Sequence, residues 1–152
     1  MKPKPYRIVG SVAHEKCVVK VKYNSKYVIA KCKDSIKTLK MIENGLNAFI
    51  RGGKNNPAGF HFHLYNYVKD HPGGRFKVEY LLTTDNIYEL LKREQEELDK
   101  GLADQNMLNN QTEAYIQPYD PETDSYGWIS KNAYMNFNKW LKARKEPKQT
   151  AE

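Results

Sequence analysis

Residues 60–110, FHFHLYNYVKDHPGGRFKVEYLLTTDNIYELLKREQEELDKGLADQNMLNN, decide the fold of this 152-residue chain. Apolar residues at helical spacing predict a short helix that ends before His71-Pro72, because the residue before a proline disfavours helical geometry. Two glycines then turn the chain into residues 75–82, where alternation of apolar and charged residues predicts a half-buried strand. Thr84 or Asp85 begins a third helix, whose apolar stripe is followed by an Asn-rich exit.

The alternation in the predicted strand and the stripe on the third helix each define one apolar face. A charged residue, Glu94, lies within the helical stripe. A carboxylate on an apolar face usually has a partner or a ligand, although it can also lie at the edge of the stripe. The strand's apolar residues are Phe76, Val78, Tyr80 and Leu82, and the stripe contains Ile87, Leu90, Leu91, Glu94 and Leu98.

A β-hairpin precedes the quoted stretch. Its strands are residues 17–23 and 26–33, joined at Asn24-Ser25, and a two-residue turn fixes their pairing so that facing positions sum to 49. Cys17 then lies opposite Cys32 on the face that composition predicts to be buried. Nothing marks the chain as secreted, so we expect two reduced thiols in the core rather than a disulfide.

Helical periodicity also places a helix between the hairpin and residue 60, and a second one near the C-terminus. Asp34 or Ser35 caps the first of these, and Gly52-Gly53 ends it. Before the hairpin, residues 6–9 predict a short strand. The first helix is defined by Ile36, Leu39, Ile42, Leu46, Phe49 and Ile50.

The composition changes after Asn110, where a Tyr-, Pro- and Asp-rich segment predicts extended and turn-like structure. We therefore divide the chain into an α+β domain, residues 1–110, and an extension, residues 111–152. Ser130 caps the last helix, which carries an aromatic stripe. The stripe either packs against a neighbouring protein or covers this domain's own core, and both interpretations stay open. Its residues are Tyr134, Phe137, Trp140 and Leu141.

The charge of the chain is strongly polarised. Residues 1–82 carry 16 Lys/Arg against 5 Asp/Glu, whereas residues 83–152 carry 9 against 13. A basic half can bind a phosphate backbone, and it can equally stack on the acidic half of another copy. No apolar run approaches the roughly 18 residues of a membrane span, and the N-terminus lacks the pattern of a secretory signal. We therefore expect a location inside the cell or in a virion, with no membrane partner.

The order of elements over residues 6–110 resembles the GIY-YIG nuclease family. LLKREQEELDKG, residues 90–101, is similar to the helix that bears the family's metal-binding Glu, which places Glu94 at the metal-ligand position. NMLNN, residues 106–110, resembles the family's closing segment, so Asn109 or Asn110 corresponds to its Asn. The resemblance implies a small antiparallel sheet, a hairpin plus one later strand, flanked by helices.

The proton-handling positions of that family are filled by other residues. Val28-Ile29-Ala30 stands where the second name-giving triplet is expected, and no Gly-Ile-Tyr lies near residues 15–18. The helix position that the resemblance assigns to an Arg is close to Thr38. A Val cannot transfer a proton, and a displaced Lys cannot reproduce a bidentate guanidinium. The resemblance therefore implies the scaffold without the cleavage chemistry.

Three functional hypotheses follow. The first is a non-catalytic structural or adaptor protein in a large assembly such as a phage connector or tail, with no cofactor, no small-molecule substrate and other protein subunits as partners. The second is a nucleic-acid-binding module whose lysines follow a phosphate track beside Tyr27. The third is a divergent metal-dependent nuclease that uses Glu94. The track consists of Lys20, Lys22, Lys31, Lys33, Lys37 and Lys40.

Overall fold

The computed structural model describes residues 6–8, 14–52, 62–109 and 113–145. These residues form an α+β fold with a three-stranded antiparallel sheet, in the order β2-β1-β3, and four helices. A small two-stranded pair, β4 and β5, precedes the last helix. In chain order the elements are β1 (Cys17–Tyr23), β2 (Lys26–Cys32), α1 (Ser35–Ile50), α2 (Phe62–Asp70), β3 (Phe76–Thr83), α3 (Ile87–Gly101), β4 (Ser125–Tyr126), β5 (Ile129–Ser130) and α4 (Lys131–Lys145).

The hairpin has the predicted register. Cys17 pairs with Cys32 and Tyr23 with Lys26, so the two-residue turn is confirmed. Asn24 takes the left-handed conformation that such a turn needs, with φ 56°. Cys17 and Cys32 are free thiols and both are buried. The Cys32 thiol donates a hydrogen bond to Cys17, and this bond lowers the pKa of Cys17. The same bond, with burial second, raises the pKa of Cys32.

Both faces of the sheet are covered. The face that carries Cys17 and Cys32 packs against α1 and α2 and forms the main core. On the opposite face, which carries Lys31, Val18 and Ile29 are buried against Leu90 and Leu98 of α3. The sheet is therefore the middle layer of three, and Lys31 of β2 lies beneath α3.

A β-bulge in β3 corrects the predicted alternation. The register with β1 shifts between Val18 and Val19, which pair with Leu82 and Tyr80, so Leu81 is the extra residue. Phe76, Val78 and Tyr80 pack on the main core as predicted, whereas Leu82 packs with Leu81 on the α3 side. The extra residue moves Leu82 to the other face because side chains alternate along a strand.

The helix ends differ slightly from the predictions. Asp34 caps α1, since its side chain accepts a hydrogen bond from the backbone nitrogen of Lys37 at 3.1 Å. That bond is the main cause that lowers the pKa of Asp34, and a hydrogen bond from His14 lowers it further. Asn86, rather than Thr84 or Asp85, caps α3 through the backbone nitrogen of Glu89. Gly53 lies outside the described residues.

The N-terminal segment is a clamped strap rather than a strand. Residues 6–8 lie against α1, where the Asn47 side chain accepts a hydrogen bond from Tyr6 nitrogen at 2.8 Å and donates one to Tyr6 oxygen at 3.0 Å. Glu43 accepts a further bond from Ile8 nitrogen at 2.7 Å. Side chains therefore satisfy the backbone groups that a sheet partner would otherwise satisfy. Val9 lies outside the described residues.

The C-terminal segment packs on α3. Ser130 caps α4 as predicted, by accepting a hydrogen bond from Ala133 nitrogen at 3.2 Å. Leu91 of α3, Ile129 and Phe137 form a second apolar cluster with Ala114 and Ala133. This cluster joins residues on both sides of the predicted boundary at residue 110.

Candidate functional site

The candidate site is built on Glu94, the charged residue within the apolar stripe of α3. Its carboxylate oxygen Oε1 accepts a hydrogen bond from Lys31 Nζ at 2.9 Å, and the two side chains are only 4% and 6% exposed. Lys31 Nζ also donates to the backbone oxygen of Tyr115 at 2.9 Å. The prediction that this carboxylate has a partner is confirmed, and the partner is an ammonium group.

The pair is buried because of where each residue falls in its element. Lys31 and Ile29 share the face of β2 that α3 covers, so the Lys31 side chain extends beneath the helix. Glu94 lies one turn before Leu98 on the buried side of α3. A pair in such an environment is only mildly screened, so each charge depends strongly on the other.

A cavity of about 270 Å³ opens above the ion pair. We call it the Glu94 cavity. Its walls are formed by β2, by α1, by the segment that follows residue 113, and by Trp128 together with β5. The residues that matter for its chemistry are Lys31, Lys33, Thr38, Glu94, Tyr115 and Trp128. It therefore combines a neutralised charge pair, a hydroxyl group, one further lysine and two aromatic side chains.

The structure brings together two of the positions that the family resemblance singled out. Glu94 and Thr38, the residue close to the expected Arg position, both line the Glu94 cavity. Val28 does not line it, because its side chain is buried in the main core. The residues at these positions supply a carboxylate and a hydroxyl group, without a guanidinium group or a phenol at the predicted places.

Asn109 has a structural position at the edge of the sheet. Its side chain accepts a hydrogen bond from Ile29 nitrogen at 2.8 Å and donates one to Ile29 oxygen at 2.9 Å. Just before it, Asn106 and Leu108 exchange backbone hydrogen bonds with Tyr27. The Asn-rich exit therefore occupies the outer edge of β2, which would otherwise present unpaired backbone groups.

The donor set around Glu94 does not fit a divalent cation. Magnesium and calcium need several oxygen ligands, and here the one carboxylate already binds an ammonium group. No cluster of three or more His, Cys, Asp or Glu side chains that could hold a metal is found among the described residues. A cation at Glu94 would first have to displace Lys31.

The six lysines of the predicted phosphate track are not gathered into one free surface. Lys31 is buried against Glu94, Lys22 Nζ lies 2.7 Å from Glu79 Oε2, and Lys40 Nζ lies 3.7 Å from Glu43 Oε2. The remaining three are Lys20, Lys33 and Lys37; the last two are exposed.

Lys20 and Tyr27 are also engaged. Lys20 Nζ lies over the Tyr27 ring, 4.6 Å from its centroid. The Tyr27 hydroxyl donates to Asp104 at 2.7 Å, and burial, with this hydrogen bond second, raises the pKa of Tyr27 to about 12. The Tyr27 ring, which lies beside the predicted phosphate track, is therefore covered by a lysine of its own sheet.

The aromatic stripe of α4 lies against the chain's own second cluster. Phe137 is 2% exposed, and Tyr134, Trp140 and Leu141 are partly buried around it. The Trp140 ring is flanked by Lys92 and Arg144, at 6.0 and 5.4 Å from its centroid. The burial of Phe137 favours the interpretation that the stripe covers the domain's own core.

Sequence reasoning missed the Tyr115 carbonyl as a partner of Lys31, because no side-chain pattern reports where a loop carbonyl lies. It also missed Arg7 and Arg51, which line a separate cavity with Lys40. Arg51 directly follows Ile50, the last apolar residue of the predicted first helix, whereas no signal in the sequence placed Arg7 beside that helix.

The chain was compared with protein-family models, curated proteins and solved structures, and none of the three comparisons gave a match. A scan of the described residues for membrane-spanning segments found no helix with the necessary length and apolar character.

Proposed function

We propose that this chain is a non-catalytic structural or adaptor protein, a subunit of a larger protein assembly such as a phage connector or tail, on a scaffold similar to that of the GIY-YIG nucleases. The observation that carries the proposal is the Lys31–Glu94 ion pair. A metal-ligating carboxylate has to be open to a cation and a substrate, whereas this one binds the Lys31 ammonium group, which the Tyr115 carbonyl also holds in place.

Two further features support a structural rather than a catalytic role. The position expected to carry an Arg has Thr38 nearby, so the cavity lacks a guanidinium at that place. The outer edge of β2 is closed by Asn109, which stabilises the sheet next to the same cavity. The Asn109 bonds stabilise the scaffold, and neither feature supplies an acid or a base for cleaving a phosphodiester.

The proposal is tested by incubating supercoiled plasmid DNA with magnesium or manganese and the wild-type protein or Glu94→Gln. Glu97→Gln is the matched control, because Glu97 is also buried on α3 but binds Arg93 and Lys100. We expect no cleavage above the buffer background in any of the three samples. Nicking that is present in wild type and in Glu97→Gln but lost in Glu94→Gln would refute a non-catalytic role.

A second candidate function is nucleic-acid binding, and the arrangement of α1 favours it. Lys33, Lys37 and Lys40 are all exposed, and the last two lie three residues apart on one side of the helix. Each lysine that contacts a phosphate makes binding weaker at higher salt, because it releases a condensed counterion.

This candidate is tested by titrating a fluorescent DNA duplex with wild-type protein and with Lys37→Glu at two salt concentrations. Lys77→Glu is the control, since Lys77 is exposed on β3. Nucleic-acid binding predicts a steep loss of affinity with salt and a weaker complex for Lys37→Glu only. Equal affinities for the two variants would eliminate α1 as the DNA-binding surface.

A further inference from the structure

A cavity of about 530 Å³ lies between the N-terminal strap and α1. We call it the basic cavity, because Arg7, Lys40 and Arg51 line it and all three are exposed. Its floor is rigid, since Asn47 and Glu43 hold the strap through the three hydrogen bonds described above. The volume lies within the range of pockets that bind ligands, about 300–1,000 Å³.

The charges around the basic cavity are not balanced by its own residues. Glu43 is the lining carboxylate, and it already accepts a hydrogen bond from Ile8 nitrogen and lies near Lys40. Within the described part of the chain, no ion pair of Arg7 or Arg51 is found. Three cations that converge with one engaged carboxylate repel one another, so a bound anionic group would relieve the repulsion.

An acidic projection is present on the same chain, at residues 119–124 (YDPETD), which we call the acidic turn. Asp120 accepts a hydrogen bond from Glu122 nitrogen at 2.9 Å and pairs with Ser125, which closes the turn. Asp124 is held by the Tyr119 hydroxyl and lies 3.6 Å from Lys131 Nζ. Glu122, between them, is exposed at the apex, and none of its own ion pairs lies among the described residues.

Three features of the acidic turn favour binding to another surface. Its backbone is fixed by its own side chains, so little conformational entropy is lost when it docks. Its apex carries the Glu122 carboxylate, which has no counter-charge among the residues that the structure describes. Tyr119, which is 45% exposed, adds an aromatic contact surface beside that carboxylate.

We propose that the acidic turn of one copy docks in the basic cavity of a second copy. This inference rests on the proposed structural role and names its partner as another molecule of the same chain. In this contact Glu122 lies among Arg7, Lys40 and Arg51, where it supplies the missing negative charge. The two surfaces differ, so the contact is head to tail, and repetition builds a ring if the rotation closes or a filament if it does not.

The test uses two charge-reversed proteins. The cavity variant is Arg7→Glu/Arg51→Glu, and the turn variant is Glu122→Lys; neither change touches the hydrogen bonds that hold the strap or the turn. The exposed Lys77→Glu serves as the control, and circular dichroism confirms that every variant is folded. Mass is measured by sedimentation velocity over a range of protein concentrations, at low salt and again at about 0.5 M salt, where charge attraction is strongly screened.

We expect wild type and Lys77→Glu to assemble at low salt, and each charge-reversed variant alone to remain a monomer of 17.7 kDa. An equimolar mixture of the two variants should assemble again, because the reversed turn meets the reversed cavity and the unreversed turn meets the unreversed cavity. Recovery in the mixture is specific to this pairing, since a general loss of assembly would persist.

Three results would overturn the inference. They are a wild-type protein that stays monomeric at every concentration, assembly that persists in both variants, and a mixture that remains monomeric. If the cavity variant instead loses binding to a DNA duplex while assembly is unchanged, the basic cavity binds nucleic acid and the inference also fails. None of these results decides the proposed non-catalytic role, which the Glu94-dependent nicking assay judges separately.

Discussion

Replacing Glu94 by Gln should destabilise the protein strongly, because Lys31 then keeps a charge that is 6% exposed and has no counter-charge. Removing one partner of a buried ion pair costs about 3–5 kcal/mol. The Tyr115 carbonyl still accepts a hydrogen bond from Lys31, so we expect the lower end, about 3 kcal/mol. For a chain of this length each kcal/mol lowers Tm by about 2–4 °C, so Tm should fall by roughly 6–12 °C.

The double variant Lys31→Met/Glu94→Leu distinguishes the cost of an unpaired buried charge from the cost of changing the packing around it. Replacing both charges by apolar residues removes the uncompensated ion, and such swaps are often neutral or stabilising. We therefore expect the free energy of unfolding of the double variant to lie within about 1 kcal/mol of that of wild type. The single changes Lys31→Met and Glu94→Leu should each be strongly destabilising, so their effects are far from additive. Urea unfolding, followed by circular dichroism, measures all four proteins at one pH.

The exposed pair Lys22–Glu79 gives the matched control, since it lies on the same face of the sheet with side chains 38% and 43% exposed. Solvent screening limits the coupling of such a pair to about 1 kcal/mol or less. The reasoning is refuted if Glu94→Gln is as stable as wild type, or if the coupling in the buried pair is no larger than in the exposed one. A catalytic Glu94 would give the opposite pattern, in which cleavage is lost and stability is kept.

Three further outcomes are expected from the structure. Asn109→Ala should destabilise the protein by about 1–3 kcal/mol in urea unfolding, because the backbone groups of Ile29 lose their partner, and an unchanged unfolding midpoint would contradict this role. Phe137→Ala should cost about 3–5 kcal/mol in the same assay, whereas an interface residue would leave the monomer's stability unaltered and weaken assembly. In alkaline titration at 295 nm, Tyr27 should ionise late, since burial and Asp104 raise its pKa to about 12, and Tyr27→Phe should remove one late-ionising group. The raised pKa of Tyr27 means that its stabilising contribution is complete below about pH 10 and is lost as the pH rises towards 12, so a Tyr27→Phe protein should lose less stability over that interval.

The hairpin could be predicted in register because a two-residue turn leaves the strands no choice of pairing. Once Asn24-Ser25 was taken as the turn, the position of Cys17 opposite Cys32 followed. The cap of α4 was predictable for a similar reason, since Ser130 directly precedes a helical pattern. Both features depend only on residues that are close together in the sequence. Sequence patterns predict local structure of this kind.

The β-bulge could not be predicted, because strict alternation is the simplest interpretation of residues 76–82. The extra residue, Leu81, is apolar, so both faces of the strand end accept it and no polar residue marks the shift. The clamp on the N-terminal strap was missed for a different reason. Asn47 acts on Tyr6 across 41 residues of sequence, and only the packing of the strap on α1 brings the two together.

The sequence indicated that Glu94 is a special position, but it did not indicate which group binds its carboxylate. Glu94 was singled out because it interrupts an apolar stripe, and the structure gives it the partner that this interruption implied. Lys31 was assigned to a phosphate track instead, since alternation assigns a residue to one face of a sheet without saying what covers that face. Only the position of α3 distinguishes a buried lysine from an exposed one.

The three-layer arrangement has a consequence during synthesis. Apart from Tyr6 and Ile8 of the strap, the surfaces that cover β1 and β2 come from later in the chain, and they include α3 and the segment that holds the edge of β2 at Asn109. A hairpin leaving the ribosome has apolar side chains on both faces and no partner for either, so it cannot persist alone. We expect the nascent chain to stay unfolded until Asn109 has emerged, and to be most exposed to aggregation and to chaperones in that interval.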